Sequence, residues 1–186
     1  MPGNCGWIET DLAFRDLTIN AMAWDPESET VIDPFGGRHD LENKVIRFTK
    51  DPEMRIDEDP IRMIRACRFL AQLEGRFDPV SLAAVSRMKN RLDHTIAPER
   101  IRLEVMKAME LDKPSLFFRA LQETGLLVKV FPSLDRCVEL DGGPYHGETV
   151  FEHCLLVGDA LLRSQPLLRL AGYLHDTGKF DAAEHK

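Results

Sequence analysis

One segment constrains this chain more than any other: Glu58-Asp-Pro-Ile-Arg-Met-Ile-Arg-Ala-Cys-Arg-Phe-Leu-Ala. Set on a helix at about 100° per residue, Met63, Ala66, Cys67, Leu70 and Leu73 share one arc that a fold must cover. Arg62, Arg65 and Arg68 recur every third residue on the opposite arc. Three guanidiniums in line repel one another unless they are solvated, paired with acids or turned towards an anion. Ile61 and Ile64 sit among them, which a simply solvated face does not explain. Two readings stay open. Either this is an exposed helix whose arginines pair with Glu58, Asp59 or Glu74, or it is a nucleotide site. In a nucleotide site, guanidinium forks hold phosphate or ring acceptors while a carboxylate accepts from an exocyclic amine. Cytosine and adenine both present that edge.

The helix is predicted over 59–73, with Pro60 in its first turn behind the possible caps Asp57 and Asp59, and a stop near Gly75. Further helices are predicted over 79–91, 98–111, 114–124, 148–163 and 166–175, the fourth of the chain stopping at Gly125. Upstream, 17–24 and 44–49 read as short strands separated by the turn-formers PESET and DPFGG. Residues 141–147 (DGGPYHG) read as a loop and boundary. Two strands do not make a stable sheet by themselves. They must pack wholly on the helices or continue into strands upstream of Met1. The expected class is α+β, predominantly α, in three parts: 1–55, 56–140 and 141–186.

At 186 residues, 44% hydrophobic and 30% charged, the chain can bury a core as one domain or two small ones. Cys5, Cys67, Cys137 and Cys154 form no C-x-x-C pair, which favours reduced thiols over a disulfide framework or thiolate zinc site. The N-terminus lacks the basic and apolar regions of a secretory signal, and no run approaches the roughly 20 apolar residues that span a bilayer. A cytoplasmic protein without a membrane partner is expected. The net charge of −7 hides a reversal along the chain. Residues 1–43 carry nine acids against Arg15 and Arg38, whereas 44–107 carry fourteen Lys and Arg against ten acids. The middle third either meets an anion or is a solvated charged face.

EDPIRMIRACRF resembles the E-D-x-x-R motif of class II tRNA nucleotidyltransferases and their poly(A) polymerase relatives. The resemblance implies that Asp59 and Arg62 read the base edge of CTP or ATP, that Glu58 holds them, and that Arg65 and Arg68 bind the nucleotide. DLAFRDLTINAMA resembles the family's R-R-D-x-T-I-N-A block, which implies sugar and triphosphate contacts for Arg15, Asp16 and Asn20. Phe14 stands where the family carries its first arginine. IDPFGGRHDLENKVIRF resembles the flexible block that follows, with Asp33, Gly36, Gly37 and Asp40 in register. PERIRLEV resembles the later ERI-x-x-E block, where Arg100 and Glu104 either brace the neck or form a helical i,i+4 ion pair. The four blocks keep family order over most of 11–107. They imply the C-terminal part of a nucleotidyltransferase head, then a helical neck. The implied parent activity is template-independent addition of CMP and AMP to tRNA 3′ ends, with tRNA, CTP and ATP as partners.

Such transfer needs two Mg²⁺ ions held by clustered carboxylates, which in the family follow a G-G-x-V-R-D turn as a D-x-D pair. This sequence contains no such turn. No catalytic residue is therefore assigned, and the chain alone is expected to be inactive as a transferase. Near the C-terminus, VFEHCLLV and LHDTGK resemble the start of an HD domain, here an incomplete all-α one. That resemblance implies a divalent metal held by His153, His175 and Asp176, with His146 and His185 as further candidates, and phosphoester hydrolysis as the chemistry. A satisfied core histidine is the plain alternative for His153. Poly(A) polymerase, an HD-type phosphohydrolase with a nucleotide- or RNA-binding region upstream, and a noncatalytic binding remnant are the competing functions.

Overall fold

A computed structural model describes residues 5–93, 96–142 and 147–179. It is an α+β fold, predominantly α. Helix α1 (Cys5–Leu12) opens it, where no element was predicted. The strand expected over 17–24 is broken up. Leu17 makes one antiparallel bridge to Phe48, Thr18–Asn20 is a 3-10 turn, and β1 is confined to Ala23–Asp25. Local side chains compete with the ladder there. The Asp16 carboxylate accepts from the Leu17 amide at 2.9 Å and from Asn20 Nδ2 at 3.1 Å, and the Thr18 hydroxyl donates to Asp40 at 2.7 Å. Strand β2 (Thr30–Ile32) pairs antiparallel with β1 across the predicted PESET turn.

The DPFGG segment does more than turn the chain, because it starts α2 (Gly37–Glu42). Asp33 accepts from the Gly37 and Arg38 amides at 2.7 and 2.9 Å, capping the helix. Gly36 takes the left-handed conformation at φ 73°. A Cβ on Gly37 would lie 2.2 Å from the Thr18 carbonyl oxygen, so only glycine lets α2 rest on the 3-10 turn. The strand expected over 44–49 narrows to β3 (Val45–Ile46), which pairs in parallel with an unforeseen β4 (Arg76–Phe77).

The helix expected over 59–73 is α4 (Ile61–Leu73), and an unforeseen helix, α3 (Pro52–Glu58), precedes it with a break between the two. The break falls at Asp59, which is extended at φ −157° and ψ 96°. Proline disfavours helical geometry in the residue before it, and Pro60 follows. Asp51 caps α3, accepting from the Met54 amide at 3.0 Å; neither Asp57 nor Asp59 caps the start of α4 with its side chain, and Asp59 is instead the C-terminal cap of α3. As predicted, α4 ends beside Gly75, with Glu74 left-handed at φ 49°. Helix α5 (Pro79–Met88) is capped by Asp78 and followed by a 3-10 turn over Lys89–Leu92. Then come α6 (Pro98–Met109) and α7 (Ser115–Glu123), the latter ending at left-handed Gly125. Two single-turn helices follow, α8 (Leu127–Val130) and α9 (Pro132–Asp135), too short for any periodicity to reveal. Helix α10 (Val150–Ala160), capped by Thr149, and α11 (Pro166–Leu174) complete the fold.

Helix α4 is the hub. It packs against α6 and α7, α6 receives α11, α7 receives α10, and α3 lies on α5. Met63, Ala66, Cys67 and Leu70 are buried as the wheel predicts, and Leu73 is partly so. Ile61 and Ile64 are buried too, because α4 is covered on more than its one apolar arc. Leu17, Ile46 and Phe48 join the same continuous core, so the β segments do pack on the helices. Burial pushes the Cys67 thiol up to about 12, which keeps it protonated and inert. No described helix is long and apolar enough to cross a membrane.

Candidate nucleotide site and metal cluster

The break between α3 and α4 is where the predicted base-reading residues meet. Glu58, at the end of α3, pairs with Arg55 and accepts from Arg62 Nη1 at 2.7 Å. Arg62 also donates to the backbone carbonyls of Arg55 at 2.9 Å and Phe14 at 3.1 Å. Its guanidinium is thus stapled between α3 and the turn after α1, and Glu58 holds it. Asp59, in the break itself, receives a bidentate fork from Arg100 of α6 at 3.0 and 2.7 Å. The carboxylate and the guanidinium expected to face a base lie three residues apart, each fixed by a different helix.

One turn further along α4, Arg65 donates through Nε to Asp16 at 2.6 Å and lies 3.6 Å from Glu104. Arg68 donates to Glu104 at 2.6 Å and to Gln72 at 3.2 Å, with its guanidinium 4.1 Å from the Phe69 ring centroid. Lys107 completes the Glu104 shell at 2.9 Å. Burial alone would raise the Asp16 carboxyl, but the hydrogen bonds and charge of Arg65, with Asn20 and the Leu17 amide, hold it below the ordinary range. Glu104 shows the same balance: burial raises it, and Arg68 and Lys107 bring it down further.

These residues form three neighbouring polar groups along α4: Glu58 with Arg62, Asp59 with Arg100, and Asp16 and Asn20 with Arg65, Glu104 and Arg68. Arg15 stands outside them, exposed and paired with Asp11 at 2.9 Å. Two expectations change. Arg68 is buried, not on an exposed arc, because α6 brings Glu104 over it. Arg100 and Glu104 are not joined as an i,i+4 pair; each reaches across from α6 to hold Asp59 or Arg68, which is bracing. Among alternative partners, Glu58 does take an arginine of α4, but Asp59 goes to Arg100 and Glu74 to Lys113. Arg55 was missed. It is buried, donates to the Ala13 carbonyl at 3.1 Å, and spans 42 residues that no local pattern links.

These carboxylates do not suit a two-metal centre. Asp16, Glu58, Asp59 and Glu104 are each already engaged by at least one arginine, which leaves little negative charge for two divalent ions.

At the other end of the molecule, the ligand atoms of His153, His175 and Asp176 all lie within 4.8 Å of one another. His175 Nε2 is 3.2 Å and His153 Nε2 3.8 Å from Asp176 Oδ2. His175 Nδ1 lies 2.8 Å from the Gly172 carbonyl. A carbonyl only accepts, so Nδ1 donates to it, and in the neutral ring Nε2 carries the lone pair towards the cluster. His153 Nδ1 faces Glu148 at 3.5 Å, a similar arrangement. Burial raises the Asp176 carboxyl, and the Lys179 ammonium at 2.5 Å with the two imidazoles lowers it further. This donor set of two imidazole nitrogens and one carboxylate suits a divalent transition metal. His146 and His185 lie outside the described residues.

Two polymerase domain families match this chain in order: a poly A polymerase head domain over residues 5–47, and the probable RNA and SrmB-binding site of polymerase A over 76–138. The two matches together cover much of the helical chain and the β segments before it. Relatives of the chain narrow the class. The multifunctional CCA protein of Aromatoleum aromaticum is 40% identical over 185 residues, covering 96% of this chain and 44% of that protein. The Methylococcus capsulatus protein of the same name is 38% identical over 180 residues, covering 92% and 41%. The Bacillus stearothermophilus CCA-adding enzyme in complex with CTP superposes with a TM-score of 0.65 at 32% identity, over 87% of this chain and 42% of that one. The Thermotoga maritima CCA-adding enzyme complexed with tRNA gives 0.65 at 27% identity, over 90% and 41%. The chain belongs to the tRNA nucleotidyltransferase and poly(A) polymerase family, and it spans less than half the length of these relatives.

Proposed function

We propose that this chain is the base-selecting part of a cytoplasmic tRNA nucleotidyltransferase that adds CMP and AMP to tRNA 3′ ends. Its parts are a head-derived segment (1–55), a helical neck (56–140) and the beginning of an HD domain (141–186). The observation that carries the proposal is the Glu58–Asp59–Arg62 constellation at the helix break, with Asp59 and Arg62 fixed by separate helices. A carboxylate accepts from the exocyclic amine and an adjacent guanidinium donates to the ring acceptor, which admits cytosine and adenine and rejects uracil and guanine. Arg65 and Asp16 order the next turn for sugar and phosphate. In the transfer itself, divalent ions supply charge neutralisation at the reacting phosphate; the residues of this chain bind and orient. The unfolding midpoint of the chain is expected to rise with CTP and ATP but not with UTP or GTP. Equal responses to all four, or none, would sink the proposal. ATP-only incorporation on generic RNA by a longer form carrying the whole head would favour a poly(A) polymerase instead.

The His153–His175–Asp176 cluster supports a second activity for the same protein, metal-dependent phosphoester hydrolysis. Metal analysis after Mn²⁺ or Ni²⁺ loading tests it, with one ion per chain expected and none in a His175→Ala variant.

A further inference from the structure

The side chains just upstream of Arg15 have no part in the contacts described above, yet they are unusual. Trp7, Thr10, Asp11 and Phe14 follow i, i+3, i+4, i+7 spacing along α1 and its continuation, where the Ala13 and Phe14 amides bond back to Glu9 and Asp11. They line one groove of about 410 Å³. Trp7 is 81% exposed and Phe14 62%. Side chains this large are normally the first to be covered. Phe14 also occupies the place where the family block carries an arginine, so an aromatic face replaces a charge. A cation is still close, since Lys50 Nζ lies 6.0 Å from the Phe14 ring centroid. Among the described residues Lys50 forms no ion pair. The Phe14 carbonyl accepts from Arg62, which puts this aromatic surface at the margin of the base-reading site.

We propose that Trp7 and Phe14 form a stacking surface for a nucleobase, with Lys50 engaging the phosphate attached to it. The ligand class rests on the nucleotide reading above; the location does not. Stacking on an aromatic ring tolerates any base, since every base has a π-face, and a neighbouring cation supplies the backbone contact. Among the described residues the groove is lined by aromatic and polar side chains alone. By contrast, the exposed Leu156, Leu167 and Leu168 of α10 and α11 form an aliphatic surface of the kind that protein covers. The base could come from a free nucleotide or from single-stranded RNA, such as a tRNA 3′ end.

The two tryptophans of the chain are Trp7 and Trp24, so a Trp24→Phe variant of the whole chain leaves Trp7 as the only indole reporter. Its fluorescence is titrated with CMP, AMP, short oligo(C) and oligo(A) ribonucleotides, and inorganic phosphate. Saturable quenching by the nucleotides, absent with phosphate, is expected. Phe14→Ala should weaken it roughly tenfold or more, Phe14→Trp should preserve it, and Lys50→Ala should flatten its salt dependence. Oligoribonucleotides binding tighter than mononucleotides identifies RNA as the source, and equal affinity identifies a free nucleotide; both uphold the surface. Absence of quenching, or quenching indifferent to Phe14→Ala, overturns it. So does self-association in sedimentation that Phe14→Ala abolishes while Trp7 stays silent, which makes the stripe a protein contact. A midpoint that responds to CTP beside a silent Trp7 removes this surface and leaves base selection standing. Quenching that persists in Asp59→Ala, with the CTP response lost, upholds both.

Discussion

The two polar clusters of this molecule are built on opposite principles. Around α4, charges from four separate stretches converge: Asp16, the α3 terminus, α4 itself, and α6 with Arg100 and Glu104. Each carboxylate there is held by an arginine, and Arg68 and Glu104 are almost wholly out of water. Around Asp176, two helices and the turn after α11 gather nitrogen and oxygen donors that face one another over 3–4 Å, partly in solvent. The first cluster is complete in itself and fixes geometry. The second gathers two imidazole nitrogens around a carboxylate that Lys179 already engages, an arrangement suited to a metal ion. The lesson is that the first should matter to folding and the second chiefly to what it binds.

The largest test of that contrast is Glu104→Ala. It leaves the Arg68 guanidinium buried against Phe69 with Gln72 as its remaining polar partner, and loss of one member of a buried pair costs about 3–5 kcal/mol. Urea titration should show the midpoint falling accordingly. Replacing both members, Arg68→Met with Glu104→Leu, should recover most of the loss, because removing both charges removes the desolvation burden too. Should the single and double variants be equally destabilised, the pair is not what holds α4 to α6.

Acid provides the second test. Asp16 and Glu104 are both held below their ordinary values in the folded chain. A depressed folded value means that the stabilisation is fully present above the unfolded carboxylate range, roughly pH 4. It is lost as pH falls through the lower, folded values. Stability measured from pH 7 downward should therefore hold to about pH 4–5 and then decline, and Glu104→Ala should flatten that decline. A loss centred near pH 6 would point to the histidines and reverse the contrast.

For the second cluster, His175→Ala should change metal-free stability by less than about 1 kcal/mol, since the ring is partly exposed. The wild-type chain with Ni²⁺ or Mn²⁺ at a hundredfold excess over the dissociation constant should gain about 2.7 kcal/mol, and His175→Ala should gain little of it. Thermal melts with and without metal read both effects. Equal gains would mean that the ion binds elsewhere.

Much of this was legible in the sequence, for physical reasons that also explain what was not. The apolar arc of α4 follows from a 3.6-residue period, so Met63, Ala66, Cys67 and Leu70 were placed correctly. The adjacent His175-Asp176 pair and His153 come together because α10 and α11 are neighbours joined by a short loop. What local pattern cannot carry is partner choice over distance. Arg100 is 41 residues from Asp59 and Glu104 36 from Arg68, so a helical i,i+4 pair looked as good until α6 was seen to cross α4. The 3-10 turn at Thr18 was missed because β-favouring Thr and Ile outvoted the hydrogen bonds from Asp16 and Asp40. Pro60 did mark the start of α4, while α3, at seven residues, was too short for a clear period and was missed.

The smallest expected effect sharpens the comparison from outside both clusters. Arg163 pairs with Asp112 at 2.9 Å, within hydrogen-bond distance like the ion pairs around α4, but the two side chains remain 64% and 84% exposed. Water already solvates both charges and salt screens their attraction, while holding two long side chains costs entropy. Arg163→Ala should shift stability by no more than about 0.5 kcal/mol, and 0.5 M salt should erase even that. Glu104→Ala, by contrast, should keep most of its cost in salt, because Arg68 and Glu104 sit where counterions do not reach. If Arg163→Ala proves as damaging as Glu104→Ala, burial is not what separates a structural charge from a decorative one here. The cause would then lie in the loop carrying Asp112, whose backbone carbonyl accepts from the buried Arg169 at 3.1 Å. Arg169→Met would settle which, since it removes that carbonyl contact and leaves the Arg163–Asp112 pair intact.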